Sequence, residues 1–450
     1  MITERGAAVT QLAPWNRTNP NEPPQGGWGV PNPFREVDVP HSQTLQGVDR
    51  GRLRRFAAIA TSLVALVATS LVAAPATASE ATLSCALPRA DVHHSEGLDS
   101  WNGTYPRPLR TLDAVMVFLS FPDARPRVAP RRLATEYFPA TSRFFDTASY
   151  GRFRLRPHVQ RHWVKMPRTS TAYGIQRDWD AAGRSAYLDD AVAAADAEVD
   201  FGRYDMVYLV ADPDAPGVDS DATKVVNLDQ PLTADGAPLH RFVTVFENNP
   251  PDHNVLAHET GHVFDLPDLY HRPADGMGDW DTYVGDWDLM GSQFGMAPEP
   301  FAWHKWKLGW LSHRQVDCIP ATGSAVRTLH PLSAPVRPGD RQRSRLLVAR
   351  TGEDGAIAVE ARNAAGNDRG ICREGVLVYR IRSATPSSEG PVQVVDGHPH
   401  SSACWGASVH PPLADAPLGV GESLDAGDGV RVAATGRTAT GDWTVRVTRK

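Results

Sequence analysis

His258 and His262 stand four positions apart in the stretch Val-Leu-Ala-His-Glu-Thr-Gly-His-Val-Phe-Asp-Leu-Pro-Asp-Leu-Tyr, residues 255–270. On a helix of about 3.6 residues per turn, that spacing sets the two imidazoles about 40° apart on one face and one turn along. Two such nitrogens can share one Zn²⁺, which takes histidine at about 2.0–2.1 Å. Glu259 is turned about 100° from His258, which places it beside a zinc-held water and outside the ring of ligands. A carboxylate there takes the water's proton and returns it to a leaving amine, while the ion polarises the scissile carbonyl. These three residues point to hydrolysis of peptide bonds, with Glu259 as general base and acid and with His258 and His262 on zinc.

That chemistry requires a helix held against a rigid layer. The apolar Val255-Leu256-Ala257 run leads into it, and Pro267 is expected to end it. Upstream, 112–121, 205–211 and 241–246 read as buried strands, and 185–199 is Ala-rich with apolar residues at helical spacing. Residues 144–155 read as a helix-to-strand transition turning at Gly151. Strands alternating with helices predict an α/β domain, a mixed sheet carrying the active-site helix. Beyond about residue 313, short β-rich runs separated by Gly, Asp and Pro predict an all-β, sandwich-like C-terminal domain. No solenoid-type repeat is present.

The chain has 450 residues, 41% hydrophobic and 22% charged, a balance that excludes a disordered or collagen-like protein. A net charge of -6 provides no basic field for a nucleic-acid backbone. Arg50, Arg52, Arg54 and Arg55 precede an uncharged run over 56–74, followed by Ala76-Thr77-Ala78. This order predicts a secretory signal over 50–78, cleaved after Ala78, and therefore a secreted protein with no stable membrane anchor. An uncleaved anchor is the rival, although the run is mild for a permanent span. Arg54-Arg55 hints at twin-arginine export. Residues 1–49 are Pro-rich without periodicity and are expected to carry no fold, or to precede a true start such as Val48. The remaining boundaries are 79–107 as a short pro-segment or linker, 108–315 as the catalytic domain and 316–450 as the β-rich domain.

All four cysteines lie beyond the signal and would meet an oxidising exterior. Of the pairings they allow, Cys85 with Cys318 and Cys372 with Cys404 are expected. A competing role for Cys85 is that of a latency thiol on zinc.

The sequence resembles the immune inhibitor A family of secreted zinc metallopeptidases. The resemblance lies in HETGHVFDLPDLY, the later GDWDLMGS and FAWHKWKLGWL, more loosely in the upstream FPD and SYG, and more weakly in VEARN and GVLVYRI. It implies a metzincin-like catalytic domain, protein or peptide substrates and secretion. In metzincin-type sites the helix breaks at a Gly three residues after the second His, and a ligand follows three residues later. Here the ligand position is Asp268, and the Gly position holds Asp265, which tolerates a left-handed turn better than most residues. Glu299 is the rival ligand, as a thermolysin-like site takes a Glu from a later helix, though Pro298 and Pro300 bracket it. Met290 resembles the Met-turn, an apolar floor under the metal. Trp303, Trp306 and Trp310 are expected to pack the helix that carries them, and Tyr283 is the nearest candidate for an oxyanion stabiliser.

Asp275, Asp279, Asp281, Asp286 and Asp288 offer oxygen ligands for Ca²⁺, although their spacing is not an EF-hand and solvated turns are the plainer reading. His253 and the His93-His94 pair read as surface histidines. Two other functions share these features: a secreted binding or adhesion module on an inactive metallopeptidase scaffold, and a zinc amidase acting on cell-wall peptides. The presence of Glu259 disfavours the first.

Overall fold

Five strands form a mixed sheet in the first half of the chain. They are β1 (Thr111–Ser120), β2 (Arg154–Lys165), β3 (Met206–Ala211), β4 (Lys224–Ala234) and β5 (Ala237–Val245). The order is β2-β1-β3-β5-β4; β2, β1, β3 and β5 run parallel and β4 is antiparallel to β5 at the edge. The computed structural model describes residues 84–247, 251–273, 278–335 and 340–450. The expected extension 1–49, the signal 50–78 and Asp275 lie outside the described residues.

β1 is central and alternates between two cores. Ala114, Met116 and Phe118 face one, together with Phe144, Phe145, Leu256 and Ala257. Val115, Val117 and Leu119 face the other, with Tyr187, Leu188 and Ala191. The helices α1 (Pro130–Tyr137), α2 (Ala140–Ala148), α3 (Ala181–Ala195) and α4 (His253–Val263) therefore split between the faces, with α2 and α4 on one and α3 on the other. The Asp180 carboxylate caps α3 by accepting from the Gly183 N–H at 2.8 Å, which starts it four residues ahead of the expected 185. A short helix, α5 (Ala302–Lys307), carries Trp303 in the core, and Trp310 is buried just beyond it.

Apart from short turns of 3-10 helix, the second half is all β. Strands β6 (Val316–Cys318), β7 (Gly323–Leu329), β8 (Leu346–Arg350), β9 (Gly355–Arg362), β10 (Gly375–Arg382), β11 (Val392–Val394), β12 (Ser423–Gly427), β13 (Val430–Arg437) and β14 (Trp443–Arg449) form two sheets, β11-β10-β9-β8-β6 and β12-β13-β14-β7. Leu347, Ala349, Ile357 and Val359 pack with Val432, Val445 and Val447 between these sheets. The opposite face of the five-stranded sheet, through Leu346, Val348, Ala358 and Tyr379, joins the core that holds Leu256 and Ala257 of α4. This sheet is buried on both faces, which is why β9 is apolar almost throughout.

Cys85 is bonded to Cys318 and Cys372 to Cys404, the expected pairing, so the Cys85 thiol is not available to a metal. Among the described residues, no helix is long and apolar enough to cross a membrane.

Candidate metal centre

α4 begins at Asp252, whose carboxylate accepts from the Asn254 N–H at 2.8 Å. It ends at Val263, before Pro267, because Asp265 takes a left-handed φ of 63° and reverses the chain. The Leu266 N–H closes that reversal on the Gly261 carbonyl at 3.2 Å. Asp268 thereby returns to the face of α4 that carries the histidines. Its Oδ1 lies 3.2 Å from His258 Nε2 and 3.0 Å from His262 Nε2, and the two imidazole nitrogens are 3.2 Å apart. Ligand atoms around a tetrahedral ion with bonds of about 2.0–2.1 Å stand about 3.3–3.4 Å from one another, so the three residues fit Zn²⁺ closely.

The outer nitrogens set the tautomers. His258 Nδ1 donates to the Leu289 carbonyl at 2.9 Å, and His262 Nδ1 donates to that of Leu266 at 2.7 Å. Each of these bonds turns the Nε2 of its ring toward Asp268. Burial works against charge at His262, but Asp268 outweighs it and raises the imidazole to about 9. Desolvation would raise the half-buried Asp268 carboxyl, but the two histidines hold it well below the usual carboxylate range.

Glu259 faces a cleft of about 770 Å³ that is also lined by Val225, Tyr270, Trp280 and Phe294. Its Oε2 accepts from the Val225 N–H of edge strand β4 at 2.6 Å, and burial pushes its carboxyl up. The Tyr270 ring is parallel to that of His258, with centroids 6.5 Å apart, and stacks at 5.4 Å on Trp280. Tyr270 lies within the motif segment, yet helical spacing cannot reveal it because the chain has already left the helix. Tyr283, the candidate named from the sequence, packs on His271 with ring centroids 4.8 Å apart.

Met290 lies directly beneath α4: a Cβ added at Gly261 would sit 2.5 Å from the Met290 Sδ. Its N–H donates to Asp288 Oδ1 at 2.8 Å and its carbonyl accepts from Leu269 at 2.9 Å. Glu299 is not brought to the site; it is buried in an ion pair with Lys305 of α5. Three of the aspartates considered for Ca²⁺, namely Asp279, Asp286 and Asp288, make hydrogen bonds within the fold. Asp286 accepts from Met296 and Val409 N–H groups at 3.0 and 3.2 Å, and Asp288 from Phe301 N–H and His304 Nδ1, both at 2.7 Å. Asp279 caps the turn at Asp281 and pairs with His410.

The reading of His93-His94 as a surface pair is wrong for His94, which is 2% exposed and stacked on His262 with ring centroids 5.6 Å apart. Burial lowers its pKa to about 4, so it is neutral and donates from Nδ1 to Asp265. Arg89 Nη1 reaches the other Asp265 oxygen at 2.6 Å, and Lys307 Nζ donates to the Asp265 carbonyl at 2.5 Å.

No protein-family model matches the chain. No curated protein matches it either. Among solved structures it is similar to wild-type OgpA from Akkermansia muciniphila, with 12% identity over 74% of this chain and 91% of that one and a TM-score of 0.27, too slight a likeness to carry an argument.

Proposed function

We propose that the chain is a secreted, zinc-dependent endopeptidase with a metzincin-like catalytic domain. The observation that carries this reading is the convergence of His258 Nε2, His262 Nε2 and Asp268 Oδ1 to 3.0–3.2 Å of one another, with Glu259 beside them on the same helix. Zinc, when bound, supplies a Lewis acid that polarises the substrate carbonyl and acidifies a water. The protein's own part is orientation and proton transfer. Val225 holds the Glu259 carboxylate through Oε2, and burial makes that carboxylate a stronger base toward the incoming proton and a good donor to the leaving amine.

β4 supports a peptide substrate. It is the edge strand of its sheet, and Lys224 and Val225 line the cleft, so an extended peptide can run along it. Met290 supports α4 from below in the manner of a Met-turn, and the two disulfides suit an oxidising exterior.

Elemental analysis tests the metal assignment. The purified protein is expected to hold one zinc per chain, the His262→Ala variant to lose it, and Asp268→Ala to retain it only weakly. A parent protein without zinc after growth and purification in zinc-containing medium contradicts the reading.

A further inference from the structure

Asp268 is the one proposed ligand that α4 does not carry, and its carboxylate is held by a segment more than a hundred residues away. Ser387 Oγ donates to Asp268 Oδ2 at 3.1 Å, and Ser388 Oγ donates to the same oxygen at 3.2 Å. The Ser387 hydroxyl also accepts from the Asp268 N–H at 2.9 Å, so both its donor and its acceptor capacity serve this one residue. Main-chain bonds fix the register: Ser388 N–H donates to the Asp268 carbonyl at 3.0 Å, and Arg272 N–H donates to the Ser388 carbonyl at 3.2 Å.

These serines lie in the connection between β10 and β11 of the five-stranded C-terminal sheet. The connection is itself pinned. Ser387 N–H donates to the His93 carbonyl at 3.3 Å, and Gly390 lies so close to Tyr283 that an added Cβ would sit 2.4 Å from its ring. Ser388 takes a left-handed φ of 67°.

The geometry points to Ser387 and Ser388 as the positioning residues of the third metal ligand, which makes the β10–β11 connection of the C-terminal sheet a working part of the metal centre. The inference rests on the zinc reading above. With Oδ2 held by two hydroxyls, the carboxylate cannot rotate, and Oδ1 is kept toward His258 and His262 before a cation arrives. Both donors are neutral, so Asp268 keeps its full negative charge for the ion, whereas a Lys or Arg in their place would compete with it. Outer partners of metal ligands are typically worth about 10–100-fold in metal affinity.

Zinc affinity of the full chain, measured by competition with a chromophoric chelator, tests this with Ser387→Ala, Ser388→Gly and the double variant. Glycine at 388 removes the hydroxyl while easing the left-handed backbone. Each single variant is expected to bind zinc about 10-fold more weakly and the double variant about 100-fold more weakly, at a chelator-treated melting temperature equal to the parent's. Co²⁺ substituted into the double variant should show a changed visible spectrum. A double variant that holds zinc within about two-fold of the parent overturns the positioning role and leaves the zinc reading standing, as does a loss of affinity matched by an equal collapse of the chelator-treated protein's melting temperature. A parent that binds no zinc overturns both.

Discussion

His94 and Asp265 are 171 positions apart in sequence, yet His94 Nδ1 lies 2.9 Å from Asp265 Oδ1 in the buried interior. Asp265 is the left-handed residue that turns the chain from α4 back to Asp268. The segment expected to be a pro-segment or linker thus clamps the turn that completes the candidate metal centre. Cys85 ties that segment to Cys318, and Arg89 and Lys307 close around the same aspartate.

Asp265→Ala should therefore destabilise the protein by about 3–5 kcal/mol, because it leaves Arg89 and Lys307 buried or half-buried without their counter-charge. Asp265→Gly should recover about 1 kcal/mol of that loss by relieving the left-handed backbone. Urea unfolding of the three proteins checks both figures. A loss below about 1 kcal/mol in Asp265→Ala would show that the clamp is not structural.

The same pair predicts an acid limit to stability. Burial would raise the Asp265 carboxyl, but His94, Lys307 and Arg89 outweigh it and bring it down to about 2 from 3.8. A depressed acid contributes stability that is present above the unfolded value and is lost as pH falls through about 2. Burial lowers His94 from 6.5 to about 4, so folding excludes its proton and stability also falls as pH drops from 6.5 toward 4. Both effects have the same sign, on the order of 2 kcal/mol for Asp265 and 3 kcal/mol for His94. Parent stability should decline in two stages between pH 6.5 and 2, and Asp265→Asn should lack the lower one in denaturant titrations across that range.

His304 predicts an alkaline limit. It is buried between Asp288 at 2.7 Å and Glu96 at 2.8 Å; burial opposes its charge, but the two carboxylates raise it to about 10 from 6.5. A raised base contributes stability that is fully present below pH 6.5 and is lost as pH rises through about 10. His304→Gln should cost about 3–5 kcal/mol at neutral pH by leaving two buried carboxylates uncompensated, and should flatten the alkaline decline. Equal alkaline profiles for parent and variant would remove His304 as its cause.

Gly261 is the close-contact point between α4 and Met290. Gly261→Ala should lose about 1–3 kcal/mol by overpacking against the thioether. Met290→Ala creates a cavity and should also destabilise when made alone. In the double variant the two effects should partly cancel, giving a coupling energy of about 1 kcal/mol in a double-mutant cycle. Simple additivity would show that the two side chains do not meet.

How much of this was legible in the sequence follows from the range of each interaction. His258, Glu259 and His262 are readable because helical spacing is local, and Asp268 follows by resemblance. The strands 112–121, 205–211 and 241–246 are readable because buried parallel strands are continuously apolar, and all three lie within or beside β1, β3 and β5. β4 escapes notice and β2 is read only at its start, because both are polar edge strands, containing Pro231 and Pro157, and proline in a strand is tolerated at edges while it argues against a strand in a sequence. Ser387 and Ser388 sit 119 and 120 positions from the carboxylate they hold, so nothing around them signals the role. His94 looks like a surface residue because its short, irregular segment has no periodicity from which burial can be read.

The central claim is tested most directly by Glu259→Gln. Glutamine preserves the shape of the side chain but cannot take a proton, and it leaves His258, His262 and Asp268 in place. Zinc content and chelator-sensitive cleavage of casein, measured on parent and variant side by side, should show one zinc per chain in both and a fall in cleavage of about 10²–10⁴-fold in the variant. Cleavage by the variant at the parent's rate, with zinc bound, would contradict the assignment of Glu259 as the proton-transfer residue and with it the proposed peptidase mechanism.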